Sequence, residues 1–477
     1  MKLVHRIKAL NKIEFVRHGK NYLAGNFMVQ GLTFLSIPVF TRLLNPDDYG
    51  TIAVFTSIVA VFSILLGLNF NGSVTRKYYE NDSTFGEFIY SITRFIGVFA
   101  FSASLLSLIF STLLASFFEI PILVFIMAIG VSFFSVFVNM YLSYLQASMQ
   151  SKRYATISFI QALLILTISI CLILWLNEKR YLGKIIAQLL VISVLAIYSL
   201  LLLRKLEKPL WDKSHIKYSL KFGVPLIPHT LSHFVLSSFD RIVINQLTNA
   251  TQTGLYSLAY NVGSILMIIV SGLNNAWVPI LFRNLNEAKY NDIQKKSDLY
   301  TIVIVYIAFV LALFSREAVM IMASTKYYAA LTIIPVIILS TVFIFLYQLC
   351  VNYTFYLKKN IWISINTFIC GGLNLAMNYV FIPKYGYQAA AWTTLMSYIA
   401  LFVLNYITAR QLMKEKLMNF RFKLFFLALI IAVYFLSHII SLNLHFYLLQ
   451  LLNKFVFMVI TGLGIFFMFK RRFNLHF

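Results

Sequence analysis

Charged residues are scarce in this chain: Asp, Glu, Lys and Arg make up 12% of its 477 residues, against 60% hydrophobic ones. Soluble domains carry about 25% charge, so a water-soluble fold is excluded and a bilayer is the natural solvent. Cysteine is scarcer still. Cys171, Cys350 and Cys370 fall inside apolar runs without CxxC spacing, which excludes a disulfide framework and a cysteine metal site. HExxH and a Gly-rich phosphate loop are missing, so the sequence provides for neither zinc hydrolysis nor ATP hydrolysis, and no cofactor is expected. The period-2 alternation of a membrane barrel is absent as well.

What remains is a series of apolar runs, several long enough for the roughly 20 helical residues that cross a hydrocarbon core. Spans are predicted at about 20–43, 48–70, 87–117, 121–146, 154–177 and 182–203. A second set lies at about 220–244, 253–281, 299–323, 328–356, 360–382 and 387–408, and two more at 422–441 and 446–469. The predicted class is therefore an all-α integral membrane protein with about 14 transmembrane helices.

Basic residues outnumber acidic ones 40 to 16, giving a net charge of +24, and their positions matter more than their number. Thirty of the 40 lie in the N-terminus, the alternate gaps and the C-terminus, and seven, among them Lys184, Arg316 and Lys454, in the opposite gaps. That bias predicts both termini in the cytoplasm and an inner-membrane location. Nucleic-acid binding would need a basic face on a soluble unit, and no gap is long enough to hold one. Residues 1–20 are basic without a continuous apolar core, so the first span is predicted to serve as an uncleaved targeting signal. Leu3, Ile7 and Leu10 among the basic residues fit an interfacial helix and a topology-setting leader equally well.

Three arginines, Arg42, Arg94 and Arg241, fall within or at the edge of predicted spans, where a charge costs on the order of 3 kcal/mol and seeks a partner or water. One reading is structural: headgroup contact, or an ion pair between helices. The other joins them to Arg76, Lys77 and Arg283 as a cavity attractive to an anion, with phosphate or diphosphate favoured by bidentate guanidinium geometry. Asp240 is the single acid placed inside a predicted span, either lining a polar cavity or pairing with an arginine. His229 and His233, four apart and just after Pro228, share a helix face without a third metal ligand. They read as polar lining, with proton coupling as the competing role. The amide pairs Asn26/Gln30, Gln348/Asn352 and Asn374/Asn378 recur at helical spacing and either join helices or line a wet path. Pro225, Pro228, Pro279 and Pro335 are expected to kink or break their spans.

The chain also repeats itself. Subtracting 204 aligns Phe222-Gly223 with His18-Gly19, Leu247 with Leu43, Asn249 with Asn45 and Gly254 with Gly50. This predicts two pseudo-symmetric six-helix lobes plus two C-terminal helices. The expected parts are a basic N-terminus 1–19, an N-lobe 20–203, a linker 204–219, a C-lobe 220–408, a terminal pair 422–469 and a tail 470–477.

Three stretches resemble polysaccharide-biosynthesis flippases: Thr41-Arg42-Leu43-Leu44-Asn45-Pro46-Asp47-Asp48-Tyr49-Gly50; Asp240-Arg241-Ile242-Val243-Ile244 followed by Gly254-Leu255-Tyr256-Ser257-Leu258-Ala259-Tyr260; and Asn374 to Gly386 followed by Ala389-Ala390-Ala391. The resemblance covers nearly the whole chain and is to Wzx-type O-antigen or capsule repeat-unit flippases of the multidrug/oligosaccharidyl-lipid/polysaccharide exporter superfamily. It implies a transporter, not an enzyme, that carries undecaprenyl-diphosphate-linked glycan from the cytoplasmic to the periplasmic leaflet by alternating access. Membrane lipids and other polysaccharide-assembly proteins are the implied partners. Two alternatives stand beside it. A cation-coupled small-molecule exporter would need more embedded acid than Asp240, and a membrane polymerase would need a larger outer loop than turns such as Asn45–Asp47 provide.

Overall fold

The computed structural model describes residues 25, 27–80, 83–414 and 417–473. The basic leader and Asn26 lie outside them. Among the described residues the chain is almost wholly helical, and twelve helices are long and apolar enough to cross a membrane. Two of the fourteen predicted spans are not among those twelve. The first corresponds to α1, Phe27–Leu43, a shorter apolar helix among the described residues. The seventh is a chain of short pieces described below.

Two compact units divide the chain, Met1–Gly254 and Leu255–Phe477. The first unit continues with α2 (Pro46–Gly67), α3 (Phe70–Tyr79), α4 (Phe85–Ile109), α5 (Ser111–Phe117), α6 (Ile122–Ala147), α7 (Ser151–Trp175) and α8 (Tyr181–Arg204). Helix α2 starts where its sequence says it should: Pro46 occupies the first turn, and the Asp48 carboxylate accepts the Asn45 N–H at 3.3 Å. It ends where Leu68 and Asn69 take left-handed backbone (φ 47° and 53°), which turns the chain into α3. Helix α6 packs against α2, α3 and α8. Its small residues Ala128 and Ser132 are fully buried, and Ser132 Oγ donates to Val59 O of α2 at 3.3 Å. In lipid, close approach and such cross-helix bonds hold helices together, because apolar burial from water is not available.

The predicted seventh span is broken as its prolines foretold. Helix α9 (Lys213–Gly223) passes through a 3₁₀ turn at Val224–Leu226 into α10 (Ile227–Phe234), a π-helical turn at Val235–Phe239 and α11 (Asp240–Leu247). Pro225 lies in the 3₁₀ turn and Pro228 in the first turn of α10, where a missing N–H is tolerated. This whole segment packs in the first unit. Gly223 lies so close to the end of α2 that an added Cβ would be 2.2 Å from Leu68 O. Asn69 donates to Thr230 Oγ1 at 3.3 Å, and Asn245 donates to the carbonyls of Phe118 and Glu119 at 3.0 and 2.8 Å.

Helix α12 (Ala250–Gly263) follows, then α13 (Ile265–Asn286), α14 (Tyr290–Leu313), α15 (Ser315–Met322), a 3₁₀ segment Thr325–Thr332, α16 (Ile334–Tyr356), α17 (Asn360–Tyr385), α18 (Tyr387–Met413), α19 (Arg421–Leu442) and α20 (Tyr447–Phe473). Pro279 sits inside α13, whereas Pro335 is at the start of α16 and produces no kink. Helix α14 begins well before residue 299, so Asp298 becomes part of a membrane-crossing helix and Asp240 is not the only buried acid.

The 204-residue offset recurs in the backbone. Helices α1 and α11 end at Leu43 and Leu247, and α2 and α12 start at Pro46 and Ala250. The third predicted span of each half breaks at an equivalent phenylalanine, Phe110 (φ −92°, ψ 17°) and Phe314 (φ −99°, ψ 16°), each followed by serine. The two copies also meet at one point of the first unit. A Cβ on Gly50 would lie 1.8 Å from Ala250 O, and one on Gly254 would lie 1.9 Å from Pro46 O. Each glycine thus faces the residue four positions before the other glycine, a reciprocal crossing that no side chain fits.

Candidate functional site

The first unit gathers part of the predicted cationic set. Arg76 and Lys77 lie in the last turn of α3, facing α9. The Arg76 guanidinium lies 5.9 Å from the Tyr218 ring and 5.4 Å from the Phe222 ring, and Lys77 Nζ lies 5.6 Å from Tyr218. Gly72 makes room for this, since a Cβ there would meet Phe222 at 2.9 Å. Glu80 holds both cations, at 3.7 Å from Arg76 and 3.4 Å from Lys77, and accepts the Tyr218 hydroxyl at 2.7 Å. That hydroxyl and the two cations hold the Glu80 carboxyl below its ordinary range, while burial and the Glu80 charge push Tyr218 up to about 12. Among the described residues these two cations share the Glu80 carboxylate and are bordered by aromatic faces, and Arg76 remains 59% exposed. An anion can reach its guanidinium, and stacked rings suit a sugar or an extended diphosphate.

The other predicted residues are distributed differently. Arg42 is exposed at the end of α1, where Nη1 donates to Pro38 O at 3.1 Å. Arg94 does not join the Arg76 cluster: it lies over the Tyr90 ring at 3.5 Å and pairs with Glu207 at 3.0 Å. Asp240 is fully buried at the exit of the π-helical turn, and Arg241 donates to Ser237 O at 3.3 Å. His229 and His233 occupy α10, with His229 Nδ1 buried and without a hydrogen-bond partner among the described residues. Gln30 is exposed on α1. In the second unit Arg283 is exposed in the last turn of α13.

The amides of the second unit join helices. Asn378 donates to Asn374 Oδ1 at 3.2 Å, Thr393 of α18 donates to Asn378, and Asn366 donates to Thr408 at 3.1 Å, so α17 and α18 share a buried polar seam. Asn352 and Asn274 join α16 to α13 in the same way at 2.8 Å.

Two charged groups escaped the sequence reading. Asp298 of α14 and Lys423 of α19 form a fully buried ion pair, flanked by a clasp in which Gln294 donates to Asn419 O at 3.1 Å and accepts the Asn419 N–H at 2.7 Å. Gln294 also donates to Asp298 Oδ1 at 2.9 Å from one turn away, but nothing in the local sequence points to Lys423. Lys184, predicted in an outer gap, lies instead in the first turn of α8 and borders a cavity.

These helices and their crossings define a multi-span membrane protein of the fold seen in two solved transport proteins. "Lipid II flippase MurJ, inward closed conformation" superposes with a TM-score of 0.73 at 15% identity, covering 94% of this chain and 99% of that one. An inward-facing multidrug resistance MATE family transporter of the MOP superfamily gives 0.65 at 13% identity, covering 81% and 95%. The chain belongs to the polysaccharide biosynthesis protein family, whose model matches residues 17–285. It is 27% identical over 355 residues to "Lsg locus putative protein 1" of Haemophilus influenzae, covering 72% of this chain and 85% of that protein. It is also 22% identical over 260 residues to an "Uncharacterized membrane protein in cps region" of Klebsiella pneumoniae, covering 53% and 52%.

Proposed function

We propose that this chain is a flippase that carries an undecaprenyl-diphosphate-linked oligosaccharide repeat unit from the cytoplasmic to the periplasmic leaflet of the inner membrane by alternating access. Membership of the polysaccharide biosynthesis family, in a fold with twelve membrane-crossing helices, carries this reading. The Arg76–Lys77 cluster supports it: two cations and two aromatic faces suit the diphosphate and first sugar of such a lipid. With both termini cytoplasmic, as the Lys and Arg distribution predicts, this cluster lies on the side where the lipid-linked unit is made. A cation-coupled exporter is less well supported: of the acids within the helices, buried Asp298 and half-buried Glu317 are engaged with Lys423 and Lys454, which leaves buried Asp240 as the candidate for coupling.

The test is a chromosomal deletion complemented with wild type or with Arg76→Gln/Lys77→Gln at matched membrane levels. Surface polysaccharide and the leaflet distribution of the lipid-linked unit are scored. Wild type should clear the unit from the cytoplasmic leaflet, and the double variant should leave it stranded there. A deletion that leaves the leaflet distribution unchanged would overturn the proposal.

A further inference from the structure

Within the first unit, α1, α7 and the start of α8, with Leu142 of α6, border an open-sided cavity of about 340 Å³, in the size class of small-molecule sites. At one end α1 and α7 close on each other, where Gly25 lies so near Ala155 that an added Cβ would be 2.6 Å from the alanine Cβ. Past that contact the helices part. Thr33 and Ser36 of α1 face Ser158 and Gln161 of α7 across the space, and Lys184 borders it from α8.

Lys184 is the unusual member. Its Nζ lies 4.6 Å from the Phe40 ring centroid, and no carboxylate or hydrogen-bond acceptor among the described residues takes its protons. The Gln161 amide likewise has no partner among the described residues, while Thr33 and Ser36 donate along their own helix at 3.0 and 2.6 Å and keep lone pairs for a guest. Lys423 and Lys454, by contrast, each meet a carboxylate. An ammonium held against a ring with no acceptor among the described residues, beside such an amide and three hydroxyls, makes a surface suited to an anionic polar guest.

We propose that this cavity binds an acidic sugar, with Lys184 taking the carboxylate and Gln161, Ser158, Thr33 and Ser36 meeting the hydroxyls. This rests on the flippase reading and specifies its cargo: a repeat unit containing a uronic acid or a similar singly charged residue. The charge balance favours this over the diphosphate. A single ammonium neutralises one negative charge, whereas the diphosphate carries more and suits the paired cations Arg76 and Lys77. Phe40 supplies the apolar wall that sugar C–H faces prefer.

Binding of D-glucuronate, its neutral methyl ester and D-glucose to the full-length protein in nanodiscs tests this, by saturation-transfer NMR at fixed chloride. Wild type should prefer glucuronate to both neutral sugars by about tenfold, the scale of one charge-assisted hydrogen bond. Lys184→Gln should bring the preference below about twofold, and Lys184→Arg should keep most of it. Equal binding of glucuronate and its ester to wild type would overturn the site, and this comparison needs no folded variant. A preference that survives Lys184→Gln would overturn it too. Leaflet distribution in the complemented strain separates the two ideas: flipping without any glucuronate preference sinks the acidic-sugar site alone, and a preference without flipping sinks the flippase reading alone.

Discussion

The reciprocal glycine crossing gives the sharpest prediction. In Gly50→Ala the new methyl would start 1.8 Å from Ala250 O, and no real Cβ sits closer than about 3.0 Å to such an atom, so the helices must part by about 1.2 Å. Gly254→Ala imposes nearly the same displacement on the same crossing, from 1.9 Å to Pro46 O. Backbone carbonyls cannot swing aside as a side-chain tip can, so each substitution carries an overpacking penalty of about 1–3 kcal/mol. Once one methyl has parted the helices, the second finds the space already open. The double variant should therefore cost less than the sum of the singles, with a coupling of at least 0.5 kcal/mol. The assay is the apparent melting temperature of the detergent-purified protein, for Gly50→Ala, Gly254→Ala and the pair. Each single should fall by a few degrees and the pair by little more than the worse single. Singles that melt with wild type, or losses that simply add, would refute the crossing as described.

Three further outcomes are expected. Lys423→Met leaves Asp298 buried without its ammonium and should lower stability by about 3–5 kcal/mol; Asp298→Asn with Lys423→Met should recover much of the loss, read as purified yield and melting temperature. Arg94→Gln breaks a pair whose arginine is 42% exposed, so it should cost at most about 1 kcal/mol and leave surface polysaccharide unchanged, unlike Arg76→Gln/Lys77→Gln. Tyr218→Phe removes the strongest influence lowering the Glu80 pKa, so that pKa should rise toward 4.5 in a carboxyl ¹³C titration assigned with Glu80→Gln. Because the folded value is depressed, whatever Glu80 contributes is present above pH 4.5 and lost as the pH falls through the folded pKa; the variant should lose it at a higher pH.

Much of the architecture was legible in the sequence because lipid imposes a simple rule: apolar runs of sufficient length become helices, and Pro225 and Pro228 interrupt one of them at fixed points. The repeat was legible from a few aligned residues, and the matching breaks at Phe110 and Phe314 extend it into the backbone. For Asn374 and Asn378, helical spacing left the choice open between joining helices and lining a path, and the bond from Thr393 shows them joining α17 to α18. Partnerships between distant segments were not legible. Arg94 meets Glu207 across 113 residues and Lys423 meets Asp298 across 125, and neither separation carries a local signal. Lys184 was missed for a different reason: it falls at the edge of the span predicted at 182–203 and was counted with the gap before it, although the first turn of α8 places it beside a cavity.

The Asp298–Lys423 pair also constrains how the protein is made. Ribosomes deliver the chain from its N-terminus, so Asp298 enters the bilayer on α14 long before α19 has been synthesised. Until then its carboxyl is without the Lys423 ammonium. When Lys423 arrives, it finds an acceptor already waiting, and the pair draws α19 into register against α14. The late helix is thus recruited by the early one, and nascent chains arrested before residue 421 should expose α14 to the quality-control proteases that read misassembled spans.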